Sequence, residues 1–188
     1  MKFTAALLST AALVAPVSAQ ADQAAFDAVT TVVTQAAEAF NAGDLSAIMA
    51  ARSPGQLQVL ADAAGTSVDQ MLQAHAAKVT ASLDIVDIAY FGLLPDRMEM
   101  KQTPSGRSFV QGFTEEYWRM DELNLHRVIG AFVAFEEDGQ WYITQTRKPR
   151  DLISLRKAHP DFLGAEFADG RMERVWDNVL PDHLRKAD

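Results

Sequence analysis

Two short stretches of this chain hold the residue types most able to do chemistry. In "MLQAHAAKV" (71–79), His75 shares the apolar stripe of a helix with Val68, Leu72 and Val79, so its imidazole is expected to face inward. Partly buried beside a carboxylate such as Asp84, it could serve as a general base near neutral pH. The structural alternative is a core histidine that donates one hydrogen bond to a backbone carbonyl, the ordinary condition of a buried polar group. His126 poses the same choice on a strand, where it shares a face with Val128 and Gly130. The second stretch is "DGQWYITQTRKPRDL" (138–152), in which Arg147, Lys148 and Arg150 surround Pro149 just where an aromatic strand gives way to a helix. Cations at a helix start oppose the macrodipole. They make sense either as an anion site, with the free N–H groups of the first turn, or as solvated charges paired with neighbours such as Asp151.

Other reactive arrangements are missing from the sequence. Asp84 and Asp87 lie three apart on one strand and point to opposite faces, and adjacent Glu115 and Glu116 do the same, so neither pair is a carboxylate dyad. No HxH or HExxH spacing suggests a metal, and no GxSxG, P-loop or GxGxxG signature is present; no metal or cofactor is expected.

The elements that position these residues follow from patterning. The chain opens "MKFTAALLSTAALVAPVSAQA", with Lys2, an apolar run and small residues at Val17-Ser18-Ala19, which is the layout of a secretory signal peptide over residues 1–19 cleaved after Ala19 or Ala21. Periplasmic or secreted localisation is expected, with no transmembrane segment in the mature chain. There is no cysteine, which removes disulfides and thiol chemistry and leaves stability to a hydrophobic core. With 17 Lys+Arg against 25 Asp+Glu and a net charge of −8, the chain is a poor partner for nucleic acid.

Phe26, Val29, Val33, Ala36, Ala37 and Phe40 form one helical stripe that Gly43 ends. Asp44 is expected to cap a short helix with Leu45, Ile48 and Met49. Ser53-Pro54 starts a third helix that stops at Gly65, and Ser67-Val68-Asp69-Gln70 spells a capping box for a fourth. Beyond Ala81 five stretches read as strands: 83–91, 97–103, 107–118, 125–135 and 140–147, with a hairpin turn at Asp138-Gly139. From Pro149 a helix runs to His159-Pro160, and a last short helix is expected to bear Met172, Val175, Trp176 and Val179. Helices first and strands afterwards predict an α+β fold, with N-terminal helices packed on a curved antiparallel sheet of about five strands. Residues 22–148 form the domain and 149–188 its C-terminal helical extension.

The segment "AEAFNAGDLSAIMA", followed much later by "EEDGQWYITQT", resembles the two ends of an NTF2-like (cystatin-like α+β) domain, over roughly Phe26 to Arg147. That resemblance implies a sheet wrapped around helices as a cone, often with an apolar pocket inside, in a superfamily holding both isomerase- or cyclase-like enzymes and domains that only bind. The helix at 53–64 departs from the family, which places a strand pair there. No family catalytic residue is carried over.

The leading expectation is therefore an exported, non-catalytic domain that binds a small, partly apolar ligand or an envelope protein partner, compatible with a homodimer. Phe132, Trp141, Tyr142, Arg147, Lys148 and Arg150 are its candidate binding residues. The rival is a small isomerase, lyase or cyclase using His75 or His126 with Asp84. A third reading, an envelope assembly or stress-accessory protein, expects an exposed apolar patch around Trp176.

Overall fold

Val29, Val33 and Ala36 recur along one face of a 25-residue helix, α1 (Val17–Asn41), and that face decides where the helix goes. In the computed structural model, which describes residues 17–83, 87–119, 125–176 and 180, these side chains pack on Val110, Phe132, Ala134 and Ile143 of a five-stranded antiparallel sheet. The strands are β1 (Asp87–Gln102), β2 (Ser108–Arg119), β3 (Leu125–Glu137), β4 (Gln140–Gln145) and β5 (Arg171–Val175). Their order is β1-β2-β3-β4, and β5 pairs with the first half of β3 beyond the end of β4.

Three further helices follow α1. The single turn α2 (Ala47–Ala50) leads into α3 (Pro54–Ala64), then α4 (Val68–Leu83). Local signals explain their limits. Ser53 accepts from the Gln56 N–H at the start of α3, and Gly65 ends it at φ 66°, a left-handed conformation that glycine tolerates best. The capping box of α4 is formed in both directions, Gln70 N–H to Ser67 Oγ and Ser67 N–H to Gln70 Oε1. Asp44 does not cap α2 as expected. Its carboxylate accepts from Ser46 N–H and Oγ–H two residues on, closing a local turn ahead of the helix.

The second face of the sheet is covered by the C-terminal segment. The helix α5 (Pro149–Ala158) and a 3-10 turn (Pro160–Phe162) place Leu155, Phe162 and Ala165 against Phe109, Val133 and Phe135. This explains why β3 is apolar on both sides: Phe132 and Ala134 face α1, while Val133 and Phe135 face α5. The main-chain carbonyl of Ala51, between α2 and α3, accepts from Ile143 N–H and so ties the β4 edge to the end of α2.

Two expectations are corrected. The stretches 83–91 and 97–103 are not separate strands; from Asp87 onward they form one long β1, with a register shift between Leu94 and Glu99. Pro95 can sit in that irregularity because β1 is an edge strand whose ladder can lose a donor. The final helix expected at Met172 to Val179 is instead strand β5 as far as Val175. Its residues meet Leu125 to Ile129 in antiparallel register, and this pairing overrides a weak helical pattern. The fifth strand thus comes from the tail.

A cationic half-apolar cavity as the candidate functional site

Beyond the solid core under α1, the inner face of the sheet is hollow. Thr114, Glu116 and Trp118 of β2 face the same way as Phe91 of β1 and Gln145 of β4, toward the last turn of α1. There a cavity of about 170 Å³ opens among Phe40 of α1, Ile48 and Met49 of α2, His75 and Val79 of α4, and Phe91 and Trp118 of the sheet. Its polar wall is Glu116, Gln145, Arg52 and the stretch Arg147, Lys148, Arg150 and Asp151 at the start of α5.

Glu116 is the buried acid contributed by the sheet, at 7% exposure. Its Oε2 accepts from the Trp118 indole at 2.9 Å, and its Oε1 accepts from Gln145 Nε2 at 3.4 Å. Burial holds the carboxyl above its ordinary value, against the opposing pull of the Trp118 hydrogen bond, of Arg147 and Lys148, and of Gln145. Neighbouring Glu115 points to the other face and pairs with Arg127 at 2.8 Å, the divergence expected of adjacent strand residues.

His75 lies half-buried on α4 and lines the cavity. Its pKa is pushed down, first by burial and then by repulsion from Arg52, Lys148 and Arg150, with Asp151 acting the other way. The imidazole is therefore neutral at neutral pH. Across the cavity, Arg52 is 5% exposed and forms an ion pair with Asp151, Nη2 to Oδ1 3.3 Å. Lys148 belongs to the exposed rim, yet desolvation of its ammonium, then Arg150 and Arg147, hold it below the ordinary lysine value.

The structure sorts the candidate residues. His75, Arg147, Lys148 and Arg150 line one cavity. Phe132, expected to bind ligand, is a core side chain at 1% exposure, its ring filling the space over Gly112 where a Cβ would lie 2.4 Å from it. Trp141 packs at the edge of the same core, and Tyr142 turns to the opposite face against Phe135. His126 stands opposite Trp118 and Arg174 in the sheet and does not line the cavity. Asp84 lies outside the described residues. Two of the three buried charged groups of the site, Arg52 and Glu116, were missed, while the third, Asp151, entered only as a charge neighbour of the cluster at Pro149. The alternation of Thr114, Glu116 and Trp118 on one face of β2 was the available signal for Glu116, but Arg52 had none.

A second constellation has the order nucleophile, base and acid without their function. Ser53 Oγ lies 2.7 Å from His159 Nε2, and His159 Nδ1 lies 3.4 Å from Glu137. A proton on Nδ1 faces the carboxylate, so Nε2 accepts from the serine hydroxyl. Ser53 has no exposed surface, accepts from Gln56 N–H as a helix cap, and borders no part of the cavity. The trio is a clamp that ties the start of α3 to the end of α5.

Comparison of the chain with protein-family models, with curated proteins and with solved structures finds no match. Among the described residues no group of three or more histidines and carboxylates is placed to hold a metal ion, and no helix is long and apolar enough to cross a membrane.

Proposed function

We propose that this protein is an exported binding domain that holds a small, partly apolar ligand in the cavity between α1, α2, α4 and the inner face of the sheet. The observation that carries this reading is the division of one cavity into an apolar side, Phe40, Ile48, Phe91 and Trp118, and a polar side, Glu116, Gln145 and Arg52. Binding sites combine these features, a mostly apolar concavity with a few placed polar groups. An engineered apolar cavity of about 150 Å³ accommodates benzene, so the space here suits a compact molecule of similar or slightly larger size. Helices sheltering a hollow sheet face also support kinship with NTF2-like domains, and the apolar run at residues 5–17 supports export.

A catalytic reading has one observation in its favour. His75 and Glu116 line the same cavity with pKa values displaced in opposite directions, the pattern from which acid and base roles are built. Binding is preferred because neither group is hydrogen-bonded to the other and no nucleophile joins them. Met172 and Trp176 are exposed on the tail, at 57% and 67%, which favours an assembly role less strongly, since single exposed apolar side chains are common on soluble proteins.

The test is backbone and indole shift mapping with a library of compact fragments. Ligand binding displaces the signals of Phe40, Phe91 and the Trp118 indole together; if no fragment moves them at millimolar concentration, the reading fails.

A further inference from the structure

Arg52 is the anomaly of the cavity. A guanidinium carries five N–H donors, and at 5% exposure it has little water to satisfy them. Its Nε is buried without a partner, and its one close anion, Asp151 Oδ1 at 3.3 Å, is itself without a hydrogen bond. Buried polar atoms left in that condition are rare, and they mark places where something else belongs.

Charge points the same way. In a chain of net charge −8, four cations, Arg52, Arg147, Lys148 and Arg150, line one cavity against two carboxylates, Glu116 and Asp151. Their mutual repulsion is visible in His75 and Lys148, both pushed toward their neutral forms in part by the surrounding cations. The cavity also borders the N-terminus of α5, whose N-cap Lys148 provides no side-chain hydrogen bond and whose Pro149 has no N–H.

We propose that the ligand of this cavity is a small organic carboxylate whose anionic group sits between Arg52, Lys148 and Arg150 at the start of α5, with its apolar body against Phe40, Phe91 and Trp118. The proposal rests on the binding function above and names its ligand class. A carboxylate there accepts from the unpartnered Nε–H of Arg52 and relieves the repulsion among the cations. The apolar side excludes a bare anion as the preferred occupant, because inorganic phosphate would leave Phe40, Phe91 and Trp118 uncovered.

The experiment titrates the full mature protein with matched pairs of fragments of roughly eight to twelve non-hydrogen atoms, each an arylalkanoic or alkanoic acid with its primary amide, and with inorganic phosphate alone. Acids are expected to bind about ten- to a hundredfold more tightly than their amides, the range of a charge-assisted hydrogen bond, with phosphate weaker still. The exposed-rim variant Lys148→Gln/Arg150→Gln should lose about tenfold for the acids and nothing for the amides. Arg52→Met should do the same, and the rim variant preserves the test if that buried change prevents folding. Equal affinity for acids and amides overturns the carboxylate assignment while the binding function stands. Phosphate binding more tightly than any acid overturns the assignment as well. Absence of binding by either member of every pair removes the binding function and the assignment with it.

Discussion

The indole N–H of Trp118 donates to Glu116 two residues away on the same strand, at 2.9 Å, and so a buried carboxyl and an aromatic wall are fixed together on the hollow face of the sheet. Residues i and i+2 of a strand share a face. The pairing gives Glu116 one firm partner but leaves its carboxyl largely desolvated.

The pH dependence of stability should reveal that burial. The folded-state pKa of Glu116 is raised above its ordinary value of 4.5, so the folded state holds the proton more tightly than the unfolded state. Its contribution is therefore fully present below pH 4.5 and is lost as pH rises through the folded-state value. Urea denaturation of the wild type and Glu116→Gln across this range should show the wild type losing ground relative to the variant as pH rises. A difference that does not change with pH would show that Glu116 is solvated.

The Ser53–His159 clamp is expected to be structural. Ser53→Ala removes a helix cap and leaves His159 Nε2 without its partner in a buried setting, a loss of about 2 to 4 kcal/mol by the combined cost of a cap and a buried unsatisfied group. The pKa of His159 is lowered, chiefly by burial, so protons bind the unfolded state more tightly. Stability present above the ordinary histidine value is lost as pH falls through the folded value. Urea midpoints at neutral and mildly acidic pH measure both effects. A Ser53→Ala protein as stable as the wild type would refute the clamp.

Gly170 should prove intolerant although its backbone is not left-handed. A Cβ there would lie 2.6 Å from Ile129 O, because the chain enters β5 tight against the backbone of its partner strand β3. Gly170→Ala is expected to cost about 1–3 kcal/mol, as overpacking does, and to raise amide exchange along Arg171–Val175 before the rest of the sheet. Unchanged exchange in β5 would contradict the pairing.

Much of this architecture is legible in the sequence because its signals are local. Ser53-Pro54, Gly65, Ser67 with Gln70, Asp138-Gly139 and Pro149 mark element ends by backbone chemistry that depends on few neighbours, and each works as expected. The failures depend on distant partners. Met172 and Val175 form a strand only because Leu125 to Ile129 offer an edge, and Phe132 is core only because Gly112 leaves room for its ring. The candidate site divides in the same manner. The inward stripe of α4 places His75, and the cluster at Pro149 places Arg147, Lys148 and Arg150. Arg52, beside a helix cap, becomes part of the site only through the tertiary approach of Asp151, which no spacing along the chain encodes.

The most direct measurement of the central claim is native mass spectrometry of the mature protein, purified from its own host, beside the variant Val79→Trp, which places an indole in the cavity from α4. The wild type should carry a small organic molecule that is released on denaturation, and the variant, with an unchanged urea midpoint, should be bare. A wild type without any bound molecule, or an adduct held equally by both proteins, would contradict the claim that this cavity is a binding site.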